Sequence, residues 1–312
     1  MGETGVPPAN ILITGAGGFV GTALQTALRA AWPDVTLHTP EIDVRQADAV
    51  GAAIRQARPD SVVHLAAIAS IPAARDAPDE AWQVNLFGTL NVAEAILAHA
   101  PDCQLLFAST ADAYGASFRA GAALDETAPL APMNAYGATK AAADLALGSM
   151  AARGLRVVRL RPFNHIGTGQ APIYVVASFA RQIARIEAGL QPPVLDVGNL
   201  DTFRDFLDVR DVCAAYCACV ARRDVLPAGS ILNIASGKAR RIGDVLNDML
   251  GLAGVTADIR TDPARLRGAD IPLALGNAGQ AAALLGWAPS VPWQQTLNGV
   301  LADWRARLRD EA

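Results

Sequence analysis

The sequence predicts an α/β fold: a doubly wound, mostly parallel sheet with a smaller α/β lobe beside it. Three observations carry this. The apolar run Ile11-Leu12-Ile13-Thr14 enters a glycine-rich turn, Gly15-Ala16-Gly17-Gly18-Phe19-Val20-Gly21, and a helical pattern (Ala23, Leu24, Ala27, Leu28) follows. Short β-branched runs then alternate with amphipathic stretches, the order expected of parallel strands joined by crossover helices. Beyond Ala171 the alternation loosens. The 312 residues suffice for such a core and a second lobe.

The first unit is the most telling. A helix N-terminus offers unpaired N–H groups and partial positive charge, which suits a pyrophosphate. Glycines let the backbone turn sharply and come close to a ligand. The spacing G-x-x-G-x-x-G at 15, 18 and 21 therefore points to a bound dinucleotide, with Gly15, Gly17, Gly18, Phe19, Val20 and Gly21 as its contacts. The helix ends at Pro33-Asp34, and Val35–His38 reads as the second strand. Such a strand usually ends at an acid that grips the adenosine ribose, or near an Arg that takes a 2′-phosphate. Here His38-Thr39-Pro40 supplies neither, and Glu41 and Asp43 come only afterwards. With no acid to bind a 2′-hydroxyl, the expectation leans to NADP(H) over NAD(H).

The chain continues with a helix at Ala47–Ala57 and a buried strand, Ser61–Ala67, whose small Ala66 and Ala67 let a flat cofactor lie close. A long helix over Asp79–Ala100 and a strand at Cys103–Ser109 follow. A helix then starts near Asn134 and stops near Gly154, and Leu155–Leu160 is a strand. Further on we expect a helix at Tyr174–Gly189, strands at Pro192–Val197 and Ser230–Ile234, and helices at Ile242–Leu252 and Leu297–Arg309. Residues 9–164 plus 204–235 are expected to form the dinucleotide domain, and 165–203 plus 236–312 the substrate lobe.

Composition excludes several classes. The formal charge of −4 and the scattered arginines leave no basic footprint for nucleic acid. No apolar run reaches membrane-spanning length. Met1–Pro8 lacks the basic and apolar regions of a secretory leader. Cys213, Cys217 and Cys219 cluster without further ligands at zinc-like spacing, so with Cys103 they read as buried small hydrophobes. No metal is expected, and the compartment is the reducing cytoplasm.

Chemistry enters with Tyr136 and Lys140. Residues i and i+4 share a helix face, so the ammonium can lie near the phenol. A phenol with a pKa near ~10 is a poor base at neutral pH, and a nearby cation favours the phenolate. An ordinary exposed pair has the same spacing. Thr110 tips the balance: it ends the preceding strand, where ligands sit in doubly wound sheets. Its hydroxyl and the phenol can reach one substrate oxygen, although a local cap is equally a threonine's job.

Taken together, the glycine turn, His64-Leu65-Ala66-Ala67, Asn85 in Val-Asn-Leu-Phe-Gly-Thr, Ser109-Thr110…Tyr114-Gly115, Tyr136-Gly137-Ala138-Thr139-Lys140 and Arg161-Pro162-Phe163-Asn164 resemble the extended short-chain dehydrogenase/reductases. These include nucleotide-sugar epimerases, dehydratases and ketoreductases. The resemblance implies a Rossmann domain and Thr110, Tyr136 and Lys140 as catalytic residues. It implies cofactor contacts from Asp43, Val44, Leu65, Ala66, Ala67, Tyr136, Lys140, Pro162 and Asn164, besides the glycine turn. It implies substrate contacts from Thr110, Ala111, Asp112, Asn164, Val175, Arg181, Asn199, Arg204, Arg267 and Asp270, with Arg204 and Arg267 clamping the diphosphate.

The dehydratases of the family carry Thr-Asp-Glu where this chain has Thr110-Ala111-Asp112, and Ala111 cannot donate a proton. Arg161–Gln170, Phe179–Leu190 and Val197–Asp211 are instead similar to the branch that reduces GDP-4-dehydro-6-deoxy-D-mannose to GDP-D-rhamnose. Ala135 and Thr168 stand where the family often has proline. The implied reaction is reduction of the C4 keto group of a nucleotide-linked 4-keto-6-deoxy sugar, GDP-linked by preference. The alternatives are a C4 epimerase that retains NAD and a non-catalytic dinucleotide-binding protein. The family also implies a homodimer through a four-helix bundle of the helices near 80–100 and 134–152.

Overall fold

A computed structural model of the chain describes residues 7–265 and 271–310. The first half alternates as the pattern requires: β1 (Asn10–Thr14), α1 (Phe19–Ala31), β2 (Thr36–His38), α2 (Ala47–Ala57), β3 (Ser61–His64), α3 (Ile71–Asp76), α4 (Pro78–Trp82), α5 (Thr89–His99), β4 (Gln104–Ala108), α6 (Ala135–Ala151) and β5 (Arg156–Pro162). The second half holds β6 (Asn164–Ile166), α7 (Val175–Glu187), β7 (Val194–Val197), β8 (Phe203–Asp208), α8 (Val209–Ala221), β9 (Ser230–Ile234), β10 (Ala239–Arg241), α9 (Ile242–Ala253), β11 (Asp258–Thr261), β12 (Leu273–Ala274), α10 (Gly279–Leu285) and α11 (Trp293–Asp310).

Six strands form the main sheet in the order β2-β1-β3-β4-β5-β9. Every neighbouring pair is parallel, for example Leu12 opposite Val62 and Val63 opposite Leu106. Such a sheet needs cover on both faces, which explains why β3 is buried at all four positions. On one face α1, α8 and α10 pack Leu24, Leu28, Tyr216 and Cys219 against Ile11, Ile13 and Val63. On the other, α2, α5 and α6 pack Ile54, Ile96 and Leu147 against Leu12, Val62 and Leu105. A separate apolar cluster joins α7, α9 and α11 through Phe179, Ile183, Met249 and Trp304.

The helix expected over 79–100 is not uniform. Gln83–Gly88 is a π-helical segment between α4 and α5. Its wider turn carries Asn85, fully buried, against the loop after β3. Short strands such as β6, β10 and β12 escape sequence reading because two or three residues show no periodicity. Cys103, Cys213 and Cys219 are buried and all four thiols are free. Among the described residues no helix is long and apolar enough to cross a membrane.

Candidate active site

The chain leaves β1 for one neighbour, β2, and later returns to the other side as β3. That reversal opens a crevice at the carboxyl ends of β1 and β3, where ligands of open α/β sheets bind. The glycine turn lies there. Gly15 has φ +71°, and a Cβ on it would stand 2.6 Å from the Ala66 nitrogen. On Gly21 a Cβ would stand 2.5 Å from the Gly15 carbonyl oxygen, whereas on Gly17 it would meet nothing within 4 Å. Turn and strand end therefore touch backbone to backbone, with open space above Gly17. Gly18 caps α1 without a side-chain bond, leaving its first N–H groups for an anion. This cradle fits a dinucleotide pyrophosphate.

A continuous run of buried hydrogen bonds fixes the floor of the crevice. The Ala66 N–H donates to Thr14 Oγ1 at 3.3 Å, and Thr14 Oγ1 lies 2.7 Å from His64 Nδ1. His64 Nε2 lies 2.9 Å from Thr89 Oγ1, which donates to the Asn85 carbonyl at 2.7 Å. Because Thr89 gives its hydrogen to Asn85, the network assigns the histidine proton to Nε2, and Nδ1 accepts from Thr14. Asn85 in turn holds Ile68 through both its N–H and its carbonyl and donates to Thr139 Oγ1 at 3.0 Å. Thr139 closes the run by donating to the Tyr136 carbonyl at 2.8 Å. Burial, and then the Lys140 charge, lowers the His64 pKa to about 3, so the ring is neutral.

The candidate reacting groups stand at the end of β4 and the start of α6. Thr110 follows that strand; its hydroxyl accepts from the Asp112 N–H at 3.1 Å and lowers the Tyr136 pKa, against the larger opposing effects of burial and Asp112. Asn134 caps α6, accepting from the Gly137 N–H at 2.7 Å, and so places Tyr136 and Lys140 on the helix's first turns. Burial holds the Tyr136 proton above the ordinary phenol range, and the Asp112 charge adds to this. Lys140 is 2 % exposed, with its Nζ 4.2 Å from the centre of the Phe107 ring. Burial lowers its pKa to about 7 against the opposing pull of Asp144. In this arrangement the charge acting on the phenol is the Asp112 carboxylate, while the ammonium rests on an aromatic face.

The remaining expected contacts sort by position. Leu65, Ala66 and Ala67 leave β3 beside the glycine turn, and Pro162 and Asn164 lie where β5 passes into β6. Asp43 accepts a fork from Arg45, with 2.7 Å to Nη2, and Val44 packs under Gly88. Val175 opens α7 and is exposed. Arg181 lines a cleft of about 370 Å³ with Arg185, Asp196, Arg260 and Arg265. The Asn199 side chain accepts from the Asp201 N–H at 2.9 Å, and Arg204 donates to the Phe203 and Ile271 carbonyls. Arg267 and Asp270 lie outside the described residues.

Comparison with known proteins agrees with this fold. Residues 11–235 match the NAD dependent epimerase/dehydratase family. The chain belongs to that family. It is 38% identical over 304 residues to the GDP-6-deoxy-D-mannose reductase of Pseudomonas aeruginosa, covering 96% of this chain and 99% of that one. A solved structure of RMD from Pseudomonas aeruginosa complexed with NADPH has a TM-score of 0.88 and 35% identity, over 96% of this chain and 99% of that one. The UDP-glucose 4-epimerase of Thermus thermophilus in complex with NAD has a TM-score of 0.82 and 28% identity, over 95% and 98%.

Several residues around the site were not singled out from sequence. Thr14, Thr89 and Thr139 each pass for a strand or helix polar residue until the fold brings them to His64 and Asn85. Asp144 is fully buried and takes two bonds from Arg161, at 2.9 and 3.0 Å, and one from Arg159 at 3.1 Å. Burial disfavours the Arg161 charge, but the Asp144 bonds more than offset it and raise its pKa. Asp144 lies four residues beyond Lys140 on α6, a spacing that could have drawn attention to it.

Proposed function

We propose that this protein is an NADPH-dependent ketoreductase that converts GDP-4-dehydro-6-deoxy-D-mannose to GDP-D-rhamnose by reducing the C4 keto group. The observation that carries the reading is the placement of Thr110 at the carboxyl end of β4, with the turn that follows it packed on the first turn of α6 beside Tyr136, on the same edge of the sheet as the glycine cradle. The likeness to the Pseudomonas aeruginosa reductase supports the substrate, and the NADPH-bound structure supports the cofactor.

Bound NADPH supplies the hydride; alignment and proton supply fall to the protein. Tyr136 gives its proton to the C4 oxygen as that atom becomes an alkoxide, and a phenol held protonated by burial and Asp112 is suited to this. Thr110 hydrogen-bonds the same oxygen. Lys140 and Tyr136 hold the nicotinamide ribose side, Gly15 through Gly21 the pyrophosphate, and Asp43, Val44, Leu65, Ala66, Ala67, Pro162 and Asn164 the rest of the cofactor. Asn164, Ala111 and Asp112 face the sugar. Arg204 and Arg267 clamp the nucleotide diphosphate, and Val175, Arg181, Asn199 and Asp270 supply further substrate contacts. Absence of an acid at His38-Thr39 favours NADP(H).

Residues 9–164 plus 204–235 then serve as the cofactor domain, and 165–203 plus 236–312 as the substrate lobe. Exposed Trp82, Phe87 and Leu145, on the helices near 80–100 and 134–152, favour a homodimer through those helices. Four free thiols fit the cytoplasm.

The test is a panel of GDP-, dTDP-, UDP- and CDP-linked 4-keto-6-deoxy sugars, each with NADH and NADPH, with product configuration by NMR. Stoichiometric NADPH consumption with the GDP sugar is expected. Interconversion of sugars without net consumption would instead indicate a C4 epimerase. Tyr136→Phe should cut turnover at least ~10²-fold, the low end for acid–base catalysis; near-normal turnover in that variant overturns the assignment.

A further inference from the structure

A second cleft, of about 780 Å³, lies at the opposite edge of the main sheet. Its lining includes Asp60, just before β3, Cys103, just before β4, and Arg156, which opens β5. The glycine cradle and Thr110 stand at the carboxyl ends of the strands, whereas this cleft stands at their amino ends. Arg55 and Arg58 line it from the end of α2, His99 from the end of α5, and Arg223 from just beyond α8. Arg156 braces the walls, donating to the Asp102 carbonyl at 2.9 Å and the Arg223 carbonyl at 2.6 Å, with the Asp224 carboxylate 3.7 Å away. Asp60 is likewise committed, accepting from the Ala9 and Asn10 N–H groups at 2.7 and 2.9 Å. Among the described residues no carboxylate forms an ion pair with Arg55, Arg58 or Arg223. Arg55 instead meets His99 Nε2 at 2.8 Å. A guanidinium only donates, so that nitrogen accepts, and two groups suited to an anion are paired with each other.

The backbone singles out Arg58. It ends α2 at φ 43° and ψ 57°, and among the described residues it is the one non-glycine with positive φ. Helices α9 and α10 end in the same left-handed conformation on Gly254 and Gly286, where no Cβ is strained. Pro59 stops α2, but a proline favours an extended residue before it, not a left-handed one. A cation also suits the negative end of the helix dipole, yet Arg55 in the last turn supplies one without backbone strain. Strain kept where glycine would relieve it points to a task for the side chain.

We propose that this cleft binds a chain of two or more linked phosphates, held by Arg55, Arg58 and Arg223. Guanidinium groups match phosphate oxygens in bidentate pairs, and an incoming oxygen gives Arg55 a charged acceptor in place of His99. A single phosphate would leave most of the cleft empty; its volume is that of a nucleotide-sized site. Ala98 and Pro101, both exposed, add apolar surface for a nucleoside. The shared chemistry is the phosphate chain, free or carried by a nucleotide. The proposal is independent of the ketoreductase reading, because the cleft shares no residue with the candidate active site.

The experiment is calorimetry in the presence of excess NADPH and GDP, which occupy the glycine cradle and the diphosphate clamp, with inorganic triphosphate, ATP and sulfate as probes. Wild type should bind one triphosphate per chain, more tightly than sulfate. Arg58→Gly should weaken triphosphate about tenfold while the melting temperature holds or rises, since glycine relieves the backbone. Arg55→Gln should weaken it about tenfold as well, and both variants should keep NADPH affinity within about twofold. Tighter binding of ATP than of triphosphate identifies a nucleotide as the ligand; ATP no tighter than triphosphate identifies the phosphate chain itself. No binding by wild type, sulfate bound as tightly as triphosphate, or triphosphate affinity unmoved in either variant overturns the proposal.

Discussion

His64 makes stability depend on pH in a way that can be worked out from its surroundings. The ring is fully buried, both nitrogens are engaged by threonine hydroxyls, and its pKa falls from 6.5 to about 3. The folded value is depressed below the unfolded one, so between these two pH values the unfolded chain binds the extra proton. Stability therefore falls as pH drops through 6.5 towards 3. The loss from this group alone is about 0.8 kcal/mol at pH 6 and about 2 kcal/mol at pH 5, taking ~1.36 kcal/mol per pH unit. At pH 5 the figure hardly depends on how low the folded pKa is, because any value below about 4 leaves the folded ring neutral there. The assay is urea unfolding of wild type and His64→Gln at pH 8, 6 and 5. The variant is less stable at pH 8, since it disturbs the Thr14–Thr89 run. The gap should close by about 2 kcal/mol on going to pH 5, because only wild type loses the histidine contribution. His165, whose pKa burial also lowers, titrates in both proteins and cancels. A gap that stays constant with pH would refute the buried, neutral assignment.

Other perturbations follow from the same contacts. Asp144→Ala leaves the guanidiniums of Arg161 and Arg159 buried without their carboxylate and should cost about 3–5 kcal/mol in chemical denaturation; unchanged stability would refute the role given to the pair. Gly15→Ala places a Cβ 2.6 Å from backbone that cannot give way, at a φ of +71°, so both stability and NADPH binding should fall. Gly17→Ala is the contrasting case: its Cβ meets no protein atom within 4 Å, so the melting temperature should hold while fluorescence titration shows weaker NADPH binding. Asn134→Ala removes the cap that aims α6, which should cost about 1 kcal/mol and lower kcat through displacement of Tyr136.

The parts of the site that were legible in the sequence are those whose physics is local. Gly15 declares itself because a left-handed turn between strand and helix favours glycine, and Tyr136 and Lys140 because one helix face holds both. The main strands were legible because a parallel sheet buried on both faces demands unbroken β-branched runs. The run from Ala66 through Thr14, His64, Thr89, Asn85 and Thr139 to Tyr136 was not legible. Its links join residues 50, 25 and 54 positions apart, and each member alone passes for a tolerated polar residue. The π-helical segment that turns Asn85 inward differs from an α-helix by little in its sequence pattern, so periodicity over 79–100 reads straight through it. Yet this run joins the strand end under the glycine cradle to the backbone of the helix that carries Tyr136. Buried polar groups are costly unless every partner is in place. The distance between cradle and phenol is thus set through buried side chains, Thr14, Thr89 and Thr139 among them, that join elements far apart in the sequence.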